Sequence, residues 1–189
     1  VVSGTIQIAG ENLAHYNLRW WREHCGAVMQ GGYLFSESIA RNIAVGDDEI
    51  DKSRLLLAAR IANIEEFVER LPLKYNTVVG QDGQGVSQGQ RQRILIARAV
   101  YRNPDFIFFD EATNSLDANN ERAIVENLTE FYQGKTVVVV AHRLSTVRNA
   151  DQIVVLEKGK IVETGTHESL IVAEGAYYHL VKNQLELGH

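Results

Sequence analysis

Phe106-Ile107-Phe108-Phe109-Asp110-Glu111 decides the fold: large apolar residues run directly into two adjacent carboxylates. An unbroken apolar run of this length reads as a short strand buried on both faces, the kind found inside parallel sheets. Burying an unpaired charge is costly, so Asp110 and Glu111 belong where the strand emerges. In open α/β sheets that carboxyl end is where ligands bind. This stretch alone leaves two readings open. One carboxylate could hold a magnesium ion while its neighbour acts on water, or the strand simply ends in a solvated acidic turn.

Working outward, a helix over about 119–132 and a second apolar strand over 136–140 follow. One intervening helix makes the two strands plausible parallel neighbours, which brings His142 to the edge that carries Asp110 and Glu111. Upstream, residues 5–8 and 27–30 read as strands, and residues 17–24 as one or two helical turns. Residues 38–43, 51–62 and 64–70 read as helical pieces, the last ended by Pro72. An extended 77–79, a glycine-rich loop over 80–85 and a long helix over 87–101 come next. Downstream, a short helix over 145–149 precedes a hairpin of 152–157 and 160–163 around Lys158-Gly159, then a mostly helical tail over 166–185. Strand–helix–strand alternation from Phe106 onward predicts an α/β fold with a parallel sheet. Residues 31–103 read as an inserted α-helical subdomain, and 1–30 with 104–189 as the α/β core.

The chain has 189 residues, 45% of them hydrophobic, enough for one domain with a real core. A formal net charge of -5 carries no nucleic-acid footprint. Cys25 is the single cysteine, so no intrachain disulfide forms, and it reads as a small core or surface residue. No apolar stretch reaches the length of a membrane span, and no signal-peptide pattern opens the chain. The start at Val1-Val2-Ser3-Gly4, without methionine, reads as a piece cut from something longer.

Three features converge on the acidic strand end. Val86-Ser87-Gln88-Gly89-Gln90 opens the long helix, with Ser87 and Gln90 spaced as a capping box. Gly89 permits a close backbone approach, and the free N–H groups of a helix start attract anions. Arg91 and Arg93 oppose the helix dipole there, an arrangement easier to tolerate with an anion docked nearby. An ordinary capped surface helix is the plainer alternative. His142 could donate to a phosphate oxygen. Gln30, ending its strand before Gly31-Gly32, could touch a metal's water shell. Gly134-Lys135-Thr136 is no phosphate loop, because Thr129 stands where the motif needs glycine and the segment enters a strand.

Together these residues resemble the nucleotide-binding domain of an ATP-binding cassette (ABC) transporter of exporter type. Gln30 is similar to the Q-loop glutamine, and Val86 to Gln90 to the LSGGQ signature. Residues 106–110 resemble Walker B, with Glu111 as the adjoining catalytic glutamate. Ser115-Leu116-Asp117 resembles the D-loop, and His142 the switch histidine. Thr77-Val78-Val79-Gly80 resembles the stretch that exporters set against their membrane domains. Two departures stand out: Gln88 replaces the first signature glycine, and the chain begins after the point where the family carries Walker A and its adenine-stacking aromatic.

The resemblance implies a P-loop NTPase-like (RecA-like) core whose N-terminal part is missing here. It implies ATP with Mg²⁺, sandwiched between two such domains head to tail, on the cytoplasmic face of the cell membrane. Asp110, with Gln30 beside it, would help hold magnesium; Glu111 would polarise water; His142 would contact the γ-phosphate. Ser87, Gly89 and Gln90 would cap the γ-phosphate from the partner domain, and Asp117 would line the seam. The implied partners are a second nucleotide-binding domain, as a homodimer, and a membrane-spanning domain, with no nucleic acid. A non-catalytic interaction fragment is one alternative. An ABC-type ATPase of DNA repair is a weaker one, since residues 31–85 carry no heptads. Without the Walker A cradle, several charge-assisted phosphate contacts worth about 1.5–3 kcal/mol each are lost, and part of the apolar sheet should be exposed. Calorimetry on residues 1–189 alone is therefore expected to find negligible Mg-ATP binding; micromolar affinity would overturn that expectation.

Overall fold

Side-chain caps set many of the element boundaries in the computed structural model, which describes residues 3–80, 85–113, 115–141 and 143–187. Strands β1 (Gln7–Ile8) and β2 (Glu11–Asn12) form a hairpin across Ala9 and Gly10, both at positive φ. Helix α1 (Leu18–Glu23) starts where the Asn17 side chain accepts from the Arg19 and Trp20 N–H groups. Strand β3 (Cys25–Val28) follows, then β4 (Glu37–Ser38) and α2 (Ile39–Ile43), capped by Ser38. Asp51 caps α3 (Lys52–Ile61), and α4 (Glu65–Glu69) comes next. Strand β5 (Val78–Val79) pairs antiparallel with β4. Helix α5 (Gln88–Tyr101) leads to β6 (Phe106–Asp110), α6 (Ala118–Phe131) and β7 (Thr136–Val140). The chain continues through α7 (Leu144–Val147), the hairpin β8 (Ile153–Glu157) and β9 (Lys160–Gly165), α8 (His167–Val172) and α9 (Ala176–Leu187). The predicted loop over 80–85 falls outside the described residues at 81–84, and so does His142.

The sheet that positions the site runs in the order β3-β6-β7. β3 and β6 are parallel, with Cys25 opposite Phe106 and Val28 opposite Phe109. The strand expected at 27–30 lies two residues earlier, because Met29 to Gly32 closes a turn through the Gly32 N–H and the Met29 carbonyl (3.2 Å). Two-sided burial of β6 is only half realised. Ile107 and Phe109 are buried, whereas Phe106 and Phe108 are half-buried against Trp21, at ring-centroid distances of 4.9 and 6.5 Å. On β7, Val138 and Val140 are about half exposed.

The chain divides into two compact units, residues 1–138 and 139–189. In the second, Ile153, Val155, Leu170, Tyr177 and Val181 form the core. There the Glu163 carboxylate accepts from the Ala176 and Tyr177 N–H groups (3.0 and 2.8 Å), fixing the start of α9 on β9. In the first unit, Ile39, Ile43, Ile64, Val68, Ile94, Ile96 and Ile124 are fully buried. Asn42 is buried with them and is fully used. Its amide accepts from the Phe35 N–H (2.8 Å) and Arg98, and donates to the Phe35, Glu37 and Ser38 carbonyls. Burial pushes the Arg98 guanidinium below its ordinary pKa.

Asn42→Ala strands the Phe35 N–H and part of Arg98 in the core, and should cost about 3 kcal/mol. Urea unfolding should show this as a lower midpoint at unchanged slope; a loss below about 1 kcal/mol would contradict the accounting.

Candidate functional site

Parallel pairing carries β3 and β6 out of the sheet at the same end. Gln30, two residues past β3, and Asp110-Glu111, closing β6, therefore emerge together. The Gln30 Nε2 donates to Glu111 Oε2 at 3.2 Å, joining residues 81 positions apart. Glu111 holds φ at +51°, the left-handed region, which costs a non-glycine residue roughly 1–2 kcal/mol. Strain of this kind persists only where the surroundings over-determine it. Among the described residues no three His, Cys, Asp or Glu side chains gather to hold a metal. Magnesium suits such a site, because it keeps several waters and binds through one or two carboxylates plus substrate phosphates.

Residues 87–90 fold as their spacing predicts. The Gln90 N–H donates to Ser87 Oγ (3.2 Å), and the Ser87 N–H donates to Gln90 Oε1 (2.8 Å), completing the capping box. The flanking cations are accounted for differently from the expectation. Arg91 donates through Nε and Nη2 to the Gly32 carbonyl (3.1 and 2.6 Å), and Arg93 Nη1 donates to the Asn63 carbonyl (2.5 Å). Carbonyl oxygens within the chain thus serve both guanidiniums, and no docked anion is needed to explain them. Arg91 also links the signature helix to the turn that follows Gln30.

Gly89 faces the 115–117 segment: a Cβ placed there would lie 3.4 Å from the Ser115 carbonyl and 3.7 Å from Leu116 Cδ2. Beside it, Ser115 Oγ and Arg93 Nε are buried without a hydrogen-bond partner. A buried donor left open costs about 1–3 kcal/mol. Asp117 caps α6, accepting from the Asn120 N–H (3.0 Å) and the Asn120 side-chain amide. Those hydrogen bonds, the side-chain one foremost, hold the Asp117 carboxyl below the usual carboxylate range.

The structure thus joins Gln30 to Glu111 next to Asp110, and sets Gly89 against 115–116, while His142 lies outside the described residues. Sequence reasoning missed Arg91 and Arg93 as bridges, and missed Asn63 and Asn120 altogether. Asn63 had a signal: asparagine just past a predicted helix is a common left-handed terminator, and its φ is +51°.

A family model described as ABC transporter matches residues 1–114. The leukotoxin translocation ATP-binding proteins LktB of Mannheimia haemolytica and Bibersteinia trehalosi are each 45% identical over 184 residues, covering 97% of this chain and 26% of those proteins. A solved bacterial Atm1-family ABC exporter with ATP bound superposes with a TM-score of 0.92 at 37% identity, covering 97% of this chain and 32% of that one. The chain therefore spans about a quarter of the length of the curated relatives it matches.

At 3.4 Å and beyond, the neighbours of Gly89 leave room for a methyl group. Gly89→Ala should keep the thermal midpoint or raise stability by up to ~1 kcal/mol, as alanine does in helices. A clear fall would show that the chain's own packing requires glycine there.

Proposed function

This chain belongs to the ABC transporter family, and from that premise we propose that it forms part of the ATP-hydrolysing domain of an exporter. The observation that carries the reading is the hydrogen bond from Gln30 to Glu111 at the common exit of β3 and β6. In this reading Glu111 takes the proton of the attacking water as general base. The bond from Gln30 orients that carboxylate and links it to the γ-phosphate. Asp110 and Gln30 would hold the magnesium, which would supply charge neutralisation along the phosphates. His142 contacts the γ-phosphate. Positioning and charge stabilisation, rather than covalent chemistry, carry the rate.

Ser87, Gly89 and Gln90 serve the nucleotide of a second, head-to-tail copy, with Asp117 at the seam. Residues 31–103 act as the helical subdomain, and 1–30 with 104–189 as the core. The half-exposed Tyr33, Phe35 and Val78 support docking of a membrane-spanning partner on the β4–β5 side, at the cytoplasmic face of the membrane. Among the described residues no helix is long and apolar enough to cross a membrane itself.

The test uses the complete protein containing this chain. Glu111→Gln should lower ATP turnover by at least about 100-fold while ATP affinity changes only a few-fold. Gly89→Ala should lower turnover without unfolding. Wild-type turnover in Glu111→Gln would remove Glu111 from the mechanism, and absence of hydrolysis in the unaltered protein would favour the non-catalytic interaction module.

A further inference from the structure

Two asparagines on α6 point to a device that the site description leaves unused. Asn120 and Asn127 are seven residues apart, about two helical turns, and so share one face. Both bond the C-terminal end of α3. The Asn63 Nδ2 donates to Asn120 Oδ1 (3.0 Å), and the Asn127 Nδ2 donates to the Arg60 and Ile61 carbonyls (3.3 and 3.2 Å). Arg93 of α5 closes the group, one Nη1 reaching both Asn120 Oδ1 (3.1 Å) and the Asn63 carbonyl. The same Asn120 amide that receives these bonds donates to the Asp117 carboxylate. All seven residues lie within the unit 1–138.

The last carbonyls of a helix need partners, and water serves most of them. Here the Asn127 side chain of α6 serves the Arg60 and Ile61 carbonyls of α3, so separating the two helices breaks both bonds. The carboxylate at the head of α6 is tied to the same group.

We propose that Asn63, Asn120 and Asn127 form a clamp that makes Asp117 move with α3 and α5, so that Asn120 is a positioning residue for the segment 115–117. The proposal rests on the reading of Asp117 as a residue of the seam between two copies. Movement of residues 31–103 is then delivered to the seam mechanically, through hydrogen bonds, with no change in either helix.

The test uses the complete protein. Asn63→Gly removes one strap and suits a left-handed position; Asn127→Ala removes the other. Together they should lower kcat about tenfold, within the range by which residues along a coupling route act, with KM and the thermal midpoint nearly unchanged. Asp117→Ser keeps a good helix cap but deletes the carboxylate. It should lower kcat on its own, and in that background the clamp pair should have no further effect, because residues acting through one group are not additive. An equal drop in both backgrounds would overturn the clamp, since it would then act through folding alone. Unchanged kcat in the clamp pair, with Asp117→Ser impaired, would overturn the clamp and leave the seam reading standing. Wild-type kcat in Asp117→Ser would overturn the seam reading, and the clamp with it.

Discussion

The parallel pairing of β3 with β6 is the constraint on which the site depends. Four paired positions, from Cys25 with Phe106 to Val28 with Phe109, fix which side chains leave the sheet together. A slip of one residue would send Ile107 and Phe109 to the half-covered face and turn Gln30 away from Glu111. The burial of those two apolar residues therefore sets the register that places a carboxylate and an amide at hydrogen-bonding distance. Close packing behind β3 defends it: a side chain at Gly26 would strike Pro104, at 2.6 Å, just ahead of β6.

Around that sheet, the first unit is tied by side chains that serve distant carbonyl groups. Arg54 donates to Tyr101 O, Arg91 to Gly32 O, Arg93 to Asn63 O and Arg98 to Asn42 O. Three of these arginines sit on α5, so one helix gathers the backbone at positions 32, 42 and 63. A guanidinium suits the task because its fixed fork of donors spans two acceptors at once, as Arg98 does with the Asn42 backbone and side chain. Residues 87–90 form the N-terminus of this same helix, so whatever moves α5 moves them and positions 32, 42 and 63 together.

The sequence was legible where a local rule governs. The helices read from residues 17, 38, 51 and 87 start within a residue of those observed, each behind a side-chain cap, and Lys158-Gly159 marks its hairpin. The pairing of Gln30 with Glu111 was legible only as a shared sheet edge, because the bond depends on register. The two-residue strands β4 and β5 show the limit: β5 was read as extended, but Glu37-Ser38 carries no apolar alternation, and only its pairing defines it. Arg91 and Arg93 were read through the helix dipole, a local effect, when their partners lay 59 and 30 residues away. Asn120 had no signal at all, since a polar residue in a first helical turn is unremarkable until its neighbours are known.

The backbone of Glu111 has a consequence for the history of this fold. Asparagine or glycine would occupy a φ of +51° with less strain than glutamate does. Pressure for thermal robustness alone would drive position 111 toward those residues, and each such exchange would remove a long carboxylate from the mouth of the sheet. Local strain and the Gln30 contact thus pull one codon in opposite directions, and a stabilised descendant that had traded glutamate away would keep the architecture intact while giving up the carboxylate that Gln30 holds.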